Sequence, residues 1–385
     1  MTITPFKINV SQDQIDDLHE RLAKTIMPSE IEKTSWSYGP TQHFVKGMVD
    51  RLITKYDWRE HEAKINQYPQ FITEIDGQKI HFLHVESKEL NATPLMLIHG
   101  WPGSIVEFLD VIEPLTNPVK FGGKAEDAFH VVIPSLPGFG FSGPTHESGW
   151  NNDRVAAAFN TLMGMLGYDH YGVQGGDAGA MVGPAMGRLA PEHVIGIHVN
   201  AATMGFIPMG PIDPADLEAF TDAEKARAGR LGQFMQQRFG FNAIQSTRPQ
   251  ALAYGISDSP AGLIAWASEL FTDYGDNVDM VDKDAFLTNF MIYWFTGTAA
   301  SSIRYYYENA HDPNAWTPKE NSGVPTGVAV FEEGDVAIRR YSEQGNTIVR
   351  WTEYEKGSHY AVLEVPKVWT NDVQEFFHDL RTASV

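Results

Sequence analysis

The sequence contains no cysteine. That excludes disulfides, thiol nucleophiles and cysteine-bound metals, and it leaves the redox compartment open. Basic residues are scarce: 29 Lys and Arg against 49 Asp and Glu give a formal net charge of −20. Such a balance argues against a nucleic-acid backbone or an anionic membrane surface as partner. No run of about 18 apolar residues is present, so nothing is expected to span a bilayer. The opening Met-Thr-Ile-Thr-Pro-Phe-Lys lacks the basic segment and apolar stretch of a signal peptide. A soluble, cytoplasmic protein without a membrane anchor is the expectation. Internal repeats and low-complexity tracts are also missing. What is there is 385 residues, 43% hydrophobic and 12% aromatic. That is enough to bury one large core with an insertion, or two domains.

The first 70 or so residues carry amphipathic helical patterns. Ser11 can cap a helix from Gln12 to Ala23, and Thr41 one from Gln42 to Lys55. From residue 78 short apolar runs alternate with helical stretches, as in a parallel α/β sheet. The runs are Lys79–Val85, Pro94–Ile98, His130–Pro134, Gly172–Gln174 and Val194–Val199. A stretch from about 205 to 315 is helical in pattern and rich in Met, Phe and Tyr. Strand-like runs resume at Gly327–Phe331 and Thr347–Tyr354, and a terminal helix follows near Lys367–Leu380. The expected organisation is an N-terminal helical meander (1–75), an α/β core (76–204 and 316–385) and a helical lid inserted into it (205–315).

Residues 172–179 read Gly-Val-Gln-Gly-Gly-Asp-Ala-Gly, directly after an apolar strand. Gly175 and Gly179 flank Asp177 by two residues, as a tight strand-to-helix elbow requires. Such an elbow usually presents a serine. A carboxylate there can attack a saturated carbon and leave an ester that water opens. The strand Pro94–Ile98 runs into His99-Gly100-Trp101-Pro102-Gly103-Ser104. In this architecture the loop supplies a backbone N–H to an oxyanion hole, here that of Trp101, paired with that of Ala178. A base is needed for the water, and His359, in Lys356-Gly357-Ser358-His359-Tyr360 between the last strand and last helix, has the right setting. The order nucleophile, acid, histidine is the chain order of this fold's triads. The acid should lie in Glu332-Glu333-Gly334-Asp335, with Asp335 preferred and Glu332 and Glu333 left open.

Two patterns are set aside. Gly138-Phe-Gly140-Phe-Ser-Gly143 matches a dinucleotide fingerprint only formally, since Pro144 follows and no helix opens. His81 and His84, three apart on one strand, fall on opposite faces and suit no shared metal. No cofactor and no metal are expected.

Together these residues resemble the microsomal-type epoxide hydrolases, α/β hydrolases with an N-terminal meander. The likeness runs through Asp16-Asp17-Leu18, Arg21-Leu22, Trp58-Arg59, the His-Gly-Trp-Pro loop, Pro137-Gly138-Phe139-Gly140, Gly175-Gly176-Asp177, Asp258-Ser259-Pro260-Ala261-Gly262-Leu263, Tyr293-Trp294-Phe295-Thr296-Gly297-Thr298 and the histidine loop. It implies the α/β-hydrolase fold: a mostly parallel sheet with helices on both faces, an inserted helical lid and a helical meander. It also implies lid tyrosines that protonate the epoxide oxygen. One aligns with Tyr306; consecutive helical residues point about 100° apart, so Tyr305 and Tyr307 read as packing. The second family tyrosine falls on Phe241, which keeps the ring and loses the donor, and Tyr254 is a possible substitute. Ala178 stands where the family usually has tryptophan. Asp335 lies one place later than the usual spacing.

The expected reaction is hydrolysis of an apolar, bulky epoxide to a vicinal diol, with the epoxide and water as small-molecule partners. The aromatic residues Phe234, Phe239, Phe241, Trp266, Phe271 and Trp294 support bulk, with Phe241 and Trp294 taken as substrate contacts. Two other readings stay open: a haloalkane dehalogenase-like hydrolase, disfavoured by Ala178 and Trp101 at the halide-donor positions, and a weakened ligand-binding homologue, supported by Phe241. Substrate identity, enantioselectivity and oligomeric state, a homodimer included, are left open.

Overall fold

A computed structural model describes residues 2–208, 210–271, 281–315 and 317–383. The parts of the expected lid at 209 and 272–280, and the first residue of the expected second core segment, lie outside the described residues.

The strands are β1 (Thr4–Phe6), β2 (Gln70–Ile75), β3 (Gln78–Val85), β4 (Thr93–Ile98), β5 (Phe129–Pro134), β6 (Tyr171–Gly176), β7 (Val194–Asn200), β8 (Pro325–Phe331) and β9 (Thr347–Tyr354). They form one sheet in the order β1-β2-β3-β5-β4-β6-β7-β8-β9. From β5 to β9 every pairing is parallel, and β1, β2 and β3 add an antiparallel edge. The central strands β4, β5 and β6 are buried almost throughout, as a sheet covered by helices on both faces demands. Seven of these strands follow the apolar runs of the sequence; β1 and β2 do not.

The helix Gln12–Ala23 begins at Ser11 with a reciprocal capping box to Gln14, and Thr41 caps the helix Gln42–Thr54 through the Phe44 amide. Between β7 and β8 the chain departs into helices lying within 214–271 and 283–310. The insertion is tied to the core by Arg227, which pairs with Glu332 at 2.9 Å and Glu353 at 2.8 Å. The helix Pro366–Ala383 packs against β7 and β8, with Trp369, Phe376 and Phe377 buried.

Strand order reverses about β4: β5 lies on one side of it and β6 on the other. In open α/β sheets the crevice at the carboxyl ends of such strands receives ligands. The ends of β4, β6, β8 and β9 deliver His99–Trp101, Asp177, Asp335 and His359 to that crevice. Close packing shapes it. A Cβ on Gly175 would lie 2.4 Å from the Gly179 backbone, and one on Gly179 would lie 2.2 Å from the Ile98 carbonyl oxygen. Gly179→Ala is therefore expected to cost roughly 1–3 kcal/mol of stability, as overpacking does, and to lower activity by displacing Asp177. Thermal unfolding and turnover of the variant measure both.

Candidate active site

Asp177 sits at the elbow between β6 and the helix Gly179–Leu189 with φ of 53°. A non-glycine residue in the left-handed region is held there only by its surroundings. Here the Asp177 N–H donates to the Ala201 carbonyl at 3.2 Å, and its own carbonyl accepts from the Ala180 N–H at 3.1 Å. The strain turns the carboxylate toward β4. Its Oδ1 accepts from the Trp101 N–H at 3.0 Å, and the Ala178 N–H also bonds the carboxylate. Gly100 is necessary for this approach, since a Cβ there would lie 2.2 Å from Asp177 Oδ1.

Asp177 Oδ2 faces His359 Nε2 at 3.5 Å. Burial disfavours the Asp177 charge, but His359 and the Trp101 and Ala178 amides outweigh it and hold the pKa below the usual carboxylate range. Burial likewise disfavours a charge on His359, yet Asp177 first, then Asp335 and Glu107, hold it above the ordinary histidine value. Each charge therefore favours the other across the pair.

The three candidate acids have different partners. Glu332 is held by Arg227 at 2.9 Å and Arg230 at 3.1 Å. Glu333 accepts from the Gly357 N–H at 2.8 Å and so props the histidine loop. Asp335 is buried, and its Oδ2 accepts from the Phe331 N–H at 3.0 Å. Burial pushes its pKa up to about 6, against the Phe331 amide and the charge on His359, which lower it. The late spacing of Asp335 is absorbed by the turn at Phe331, whose carbonyl accepts from the N–H groups of Gly334 and Asp335. Gly334 lets that turn touch the histidine loop: a Cβ there would lie 2.9 Å from Ser358 Cβ.

Above Asp177 three rings meet. Trp101 and Phe241 stack with centroids 5.8 Å apart and planes at 9°; Tyr306 stands edge-on to both, 5.8 Å from each. Of its neighbours, Tyr305 is buried and donates to Asn152, while Tyr307 is exposed and stacks on His311 at 3.9 Å. Phe234 and Phe239 extend the apolar wall outward from Phe241, each 6.2 Å away. Trp294, the other expected substrate contact, carries a cation on its ring. The Arg21 guanidinium lies 5.8 Å over its ring, and among the described residues no ring contact joins it to Trp101, Phe241 or Tyr306. It packs where the first helix meets the insertion. Tyr254, the possible substitute donor, is 74% exposed and points away from a buried site.

The sequence reading missed Glu107, Gln174 and Tyr360. With Asp177, Asn200 and His359 they line a small cavity beside the pair. The signal for Glu107 was Ser104-x-x-Glu107, which reads as an ordinary capping box. His81 is a satisfied core histidine, 3.0 Å from both Ser135 Oγ and Gln70 Oε1. Among the described residues one group, Glu126, Asp127 and His378, has ligand-like spacing, but Asp127 already accepts from Arg381 at 2.6 Å.

The reversed strand order, the elbow and the inserted helices define an α/β hydrolase, and residues 93–377 match the "alpha/beta hydrolase fold" profile. Residues 3–108 match "Epoxide hydrolase N terminus". A Stigmatella aurantiaca relative is 41% identical over 98% of this chain and 86% of its own. Epoxide hydrolase 1 of Sus scrofa is 32% identical over 97% of this chain and 88% of its own. The crystal structure of the Bombyx mori juvenile hormone epoxide hydrolase superposes with a TM-score of 0.87 at 29% identity, covering 100% of this chain and 96% of that one. The chain belongs to the epoxide hydrolase family and is a hydrolase of that class. Among the described residues no helix is long and apolar enough to cross a membrane.

Proposed function

We propose that the protein opens a bulky, apolar epoxide to a vicinal diol through a covalent ester on Asp177. The observation that carries this is the two-sided hold on one carboxylate: Oδ1 on the Trp101 amide at 3.0 Å and Oδ2 facing His359 at 3.5 Å. Oδ1 already occupies the oxyanion site, which leaves Oδ2 to attack. As Oδ2 bonds to a ring carbon, the C–O bond breaks and the oxygen takes the Tyr306 phenol proton, which solvent restores. A hydroxyalkyl ester results.

Esterification removes the charge on Asp177, the main support for imidazolium. Burial then dominates, and His359 releases its proton to solvent, offsetting the one that solvent returned to Tyr306, and becomes a free base. It takes a proton from water, and the hydroxide adds to Asp177 Cγ. The Trp101 and Ala178 amides hold the resulting oxyanion, each such donor being worth roughly 3 kcal/mol in related chemistry. Collapse breaks the bond from Cγ to the diol oxygen, which takes the proton back from His359, and the proton left on the Asp177 carboxyl then passes to His359 and restores the starting charges. Asp335 is assigned the triad acid, orienting His359 and supporting its charged form. The helices between β7 and β8 serve as the lid, and Trp101, Phe241, Phe234 and Phe239 give an apolar wall. The juvenile hormone epoxide hydrolases among the relatives fit a bulky substrate of this kind.

Tyr306 carries the proton transfer to the epoxide oxygen, because Phe241 donates nothing. Tyr306→Phe is expected to lower kcat/KM for styrene oxide by roughly 10²–10³-fold, the contribution of one lost donor. Phe241→Tyr is expected to raise it. A Tyr306→Phe enzyme as active as wild type removes Tyr306 from the acid role, and a slower Phe241→Tyr enzyme means that phenylalanine there fits the substrate.

A further inference from the structure

Beside the Asp177–His359 pair lies a small pocket with room for about one water molecule, a cavity of about 10 Å³. Its walls include Glu107, Gln174, Asp177, Asn200, His359 and Tyr360. Three buried polar atoms from these walls find no protein partner among the described residues: Glu107 Oε1, Gln174 Oε1 and Tyr360 Oη. Leaving such an atom unsatisfied costs about 1–3 kcal/mol, so three around one cavity call for a shared partner.

The side chains are fixed in these orientations. Gln174 Nε2 donates to Asn200 Oδ1 at 2.8 Å, which turns its carbonyl oxygen away from Asn200. Asn200 Oδ1 is fixed in turn by the Trp369 indole N–H at 3.0 Å. Tyr360 stacks on Phe271 with centroids 3.9 Å apart, leaving its ring no freedom. Glu107 lies on the turn Ile105–Phe108, and its carboxyl accepts from the Ser104 N–H. It folds back over Gly103, where a Cβ would lie 1.5 Å from Glu107 Oε1. The Gly103 carbonyl is itself held by the Tyr293 hydroxyl. The chain thus keeps a glycine and a tyrosine in place around a carboxyl that makes no ion pair among the described residues.

We propose that Glu107 is a positioning residue that, with Gln174, holds the hydrolytic water between His359 and Asp177 Cγ. The inference rests on the ester mechanism above. In that step one water O–H faces His359 Nε2 and is lost to it, while the other donates to the carbonyl oxygen of Glu107 or Gln174. The water oxygen is left with a lone pair toward Cγ. Glu107 neither gains nor loses a proton in the balance.

The role requires a neutral Glu107, because a second carboxylate beside Asp177 would repel the developing oxyanion. Burial pushes its pKa up to about 8, against the lowering charge of His359 and with the raising charge of Asp177. The other titratable groups facing it are Tyr293 and Tyr360, both held far above the ordinary tyrosine value by burial and so neutral over the working range. On esterification the influences of Asp177 and His359 fall away together, and burial remains.

The test is rapid acid quench of wild type, Glu107→Leu and Glu107→Gln after mixing with styrene oxide. The mass of the intact protein then reports ester formation and ester decay separately. Glu107→Leu is expected to form ester at the wild-type rate and to lose it roughly 100-fold more slowly, the cost of misplacing a reactant by about 1 Å. Wild-type decay is expected to fall above pH 8, and in Glu107→Gln, which cannot ionise, that alkaline fall disappears. Wild-type decay in Glu107→Leu, or an alkaline fall retained in Glu107→Gln, overturns the role of Glu107 alone. No ester in any variant overturns the mechanism and this inference with it. If Glu107→Leu fails to fold by thermal unfolding, the pH profile of Glu107→Gln decides.

Discussion

Asp177→Asn is expected to lower diol formation by at least about 10⁴-fold, as loss of a covalent nucleophile does in comparable enzymes. Among the described residues no other carboxylate accepts from the Trp101 amide, which Asp177 Oδ1 meets at 3.0 Å. The variant should fold. Asn tolerates the left-handed backbone that the elbow imposes at φ of 53°, and its carbonyl can take the same amide bonds. Its amide is a poor nucleophile, so activity disappears while thermal unfolding stays close to wild type. Product chromatography and calorimetry on one preparation separate the two effects. A variant that keeps a tenth of the wild-type rate contradicts the assignment of Asp177.

His359→Gln is expected to stall the enzyme after the first half-reaction. Ester forms, because alkylation needs only the carboxylate and a proton for the epoxide oxygen. It then persists, because nothing takes the proton from water. Steady-state turnover falls by roughly 10²–10⁴-fold, the span of general base contributions. The burst should approach one alkyl group per protein, read as a mass increase equal to that of the epoxide. A milder second effect follows from the pairing of His359 with Asp177. Without the imidazolium, Asp177 loses the main influence that holds its pKa down, and burial moves it upward. The burst rate should therefore fall on acidification at a higher pH than in wild type.

The sequence carried the site further than it carried the fold's edges. Asp177, Trp101 and His359 could be placed because each lies in a small-residue loop after an apolar run, and each local pattern survives folding. The acid needed the structure. Glu332, Glu333 and Asp335 look alike on one loop, and only the arginines Arg227 and Arg230, more than 100 positions away, engage Glu332 and distinguish it. The Arg21 contact of Trp294 was hidden for a related reason. A helix that is apolar all round hides which face meets the substrate and which meets Arg21. β1 and β2 were invisible because the first is three residues long and pairs with a strand about 65 positions on, a register no local periodicity records. Glu107 was hidden by its own plausibility. A glutamate three residues after a serine satisfies a helix start, and nothing local says that Tyr293 and Tyr360 will bury it.

In the covalent mechanism the oxygen added to the substrate passes through Asp177. A single turnover with excess enzyme in heavy-oxygen water tests it most directly. After proteolysis, the peptide carrying Asp177 should gain one heavy oxygen, while the diol from that turnover carries none from solvent. Heavy oxygen in the diol, with an unlabelled Asp177 peptide, would mean that water attacks the epoxide directly, and the covalent mechanism would be wrong.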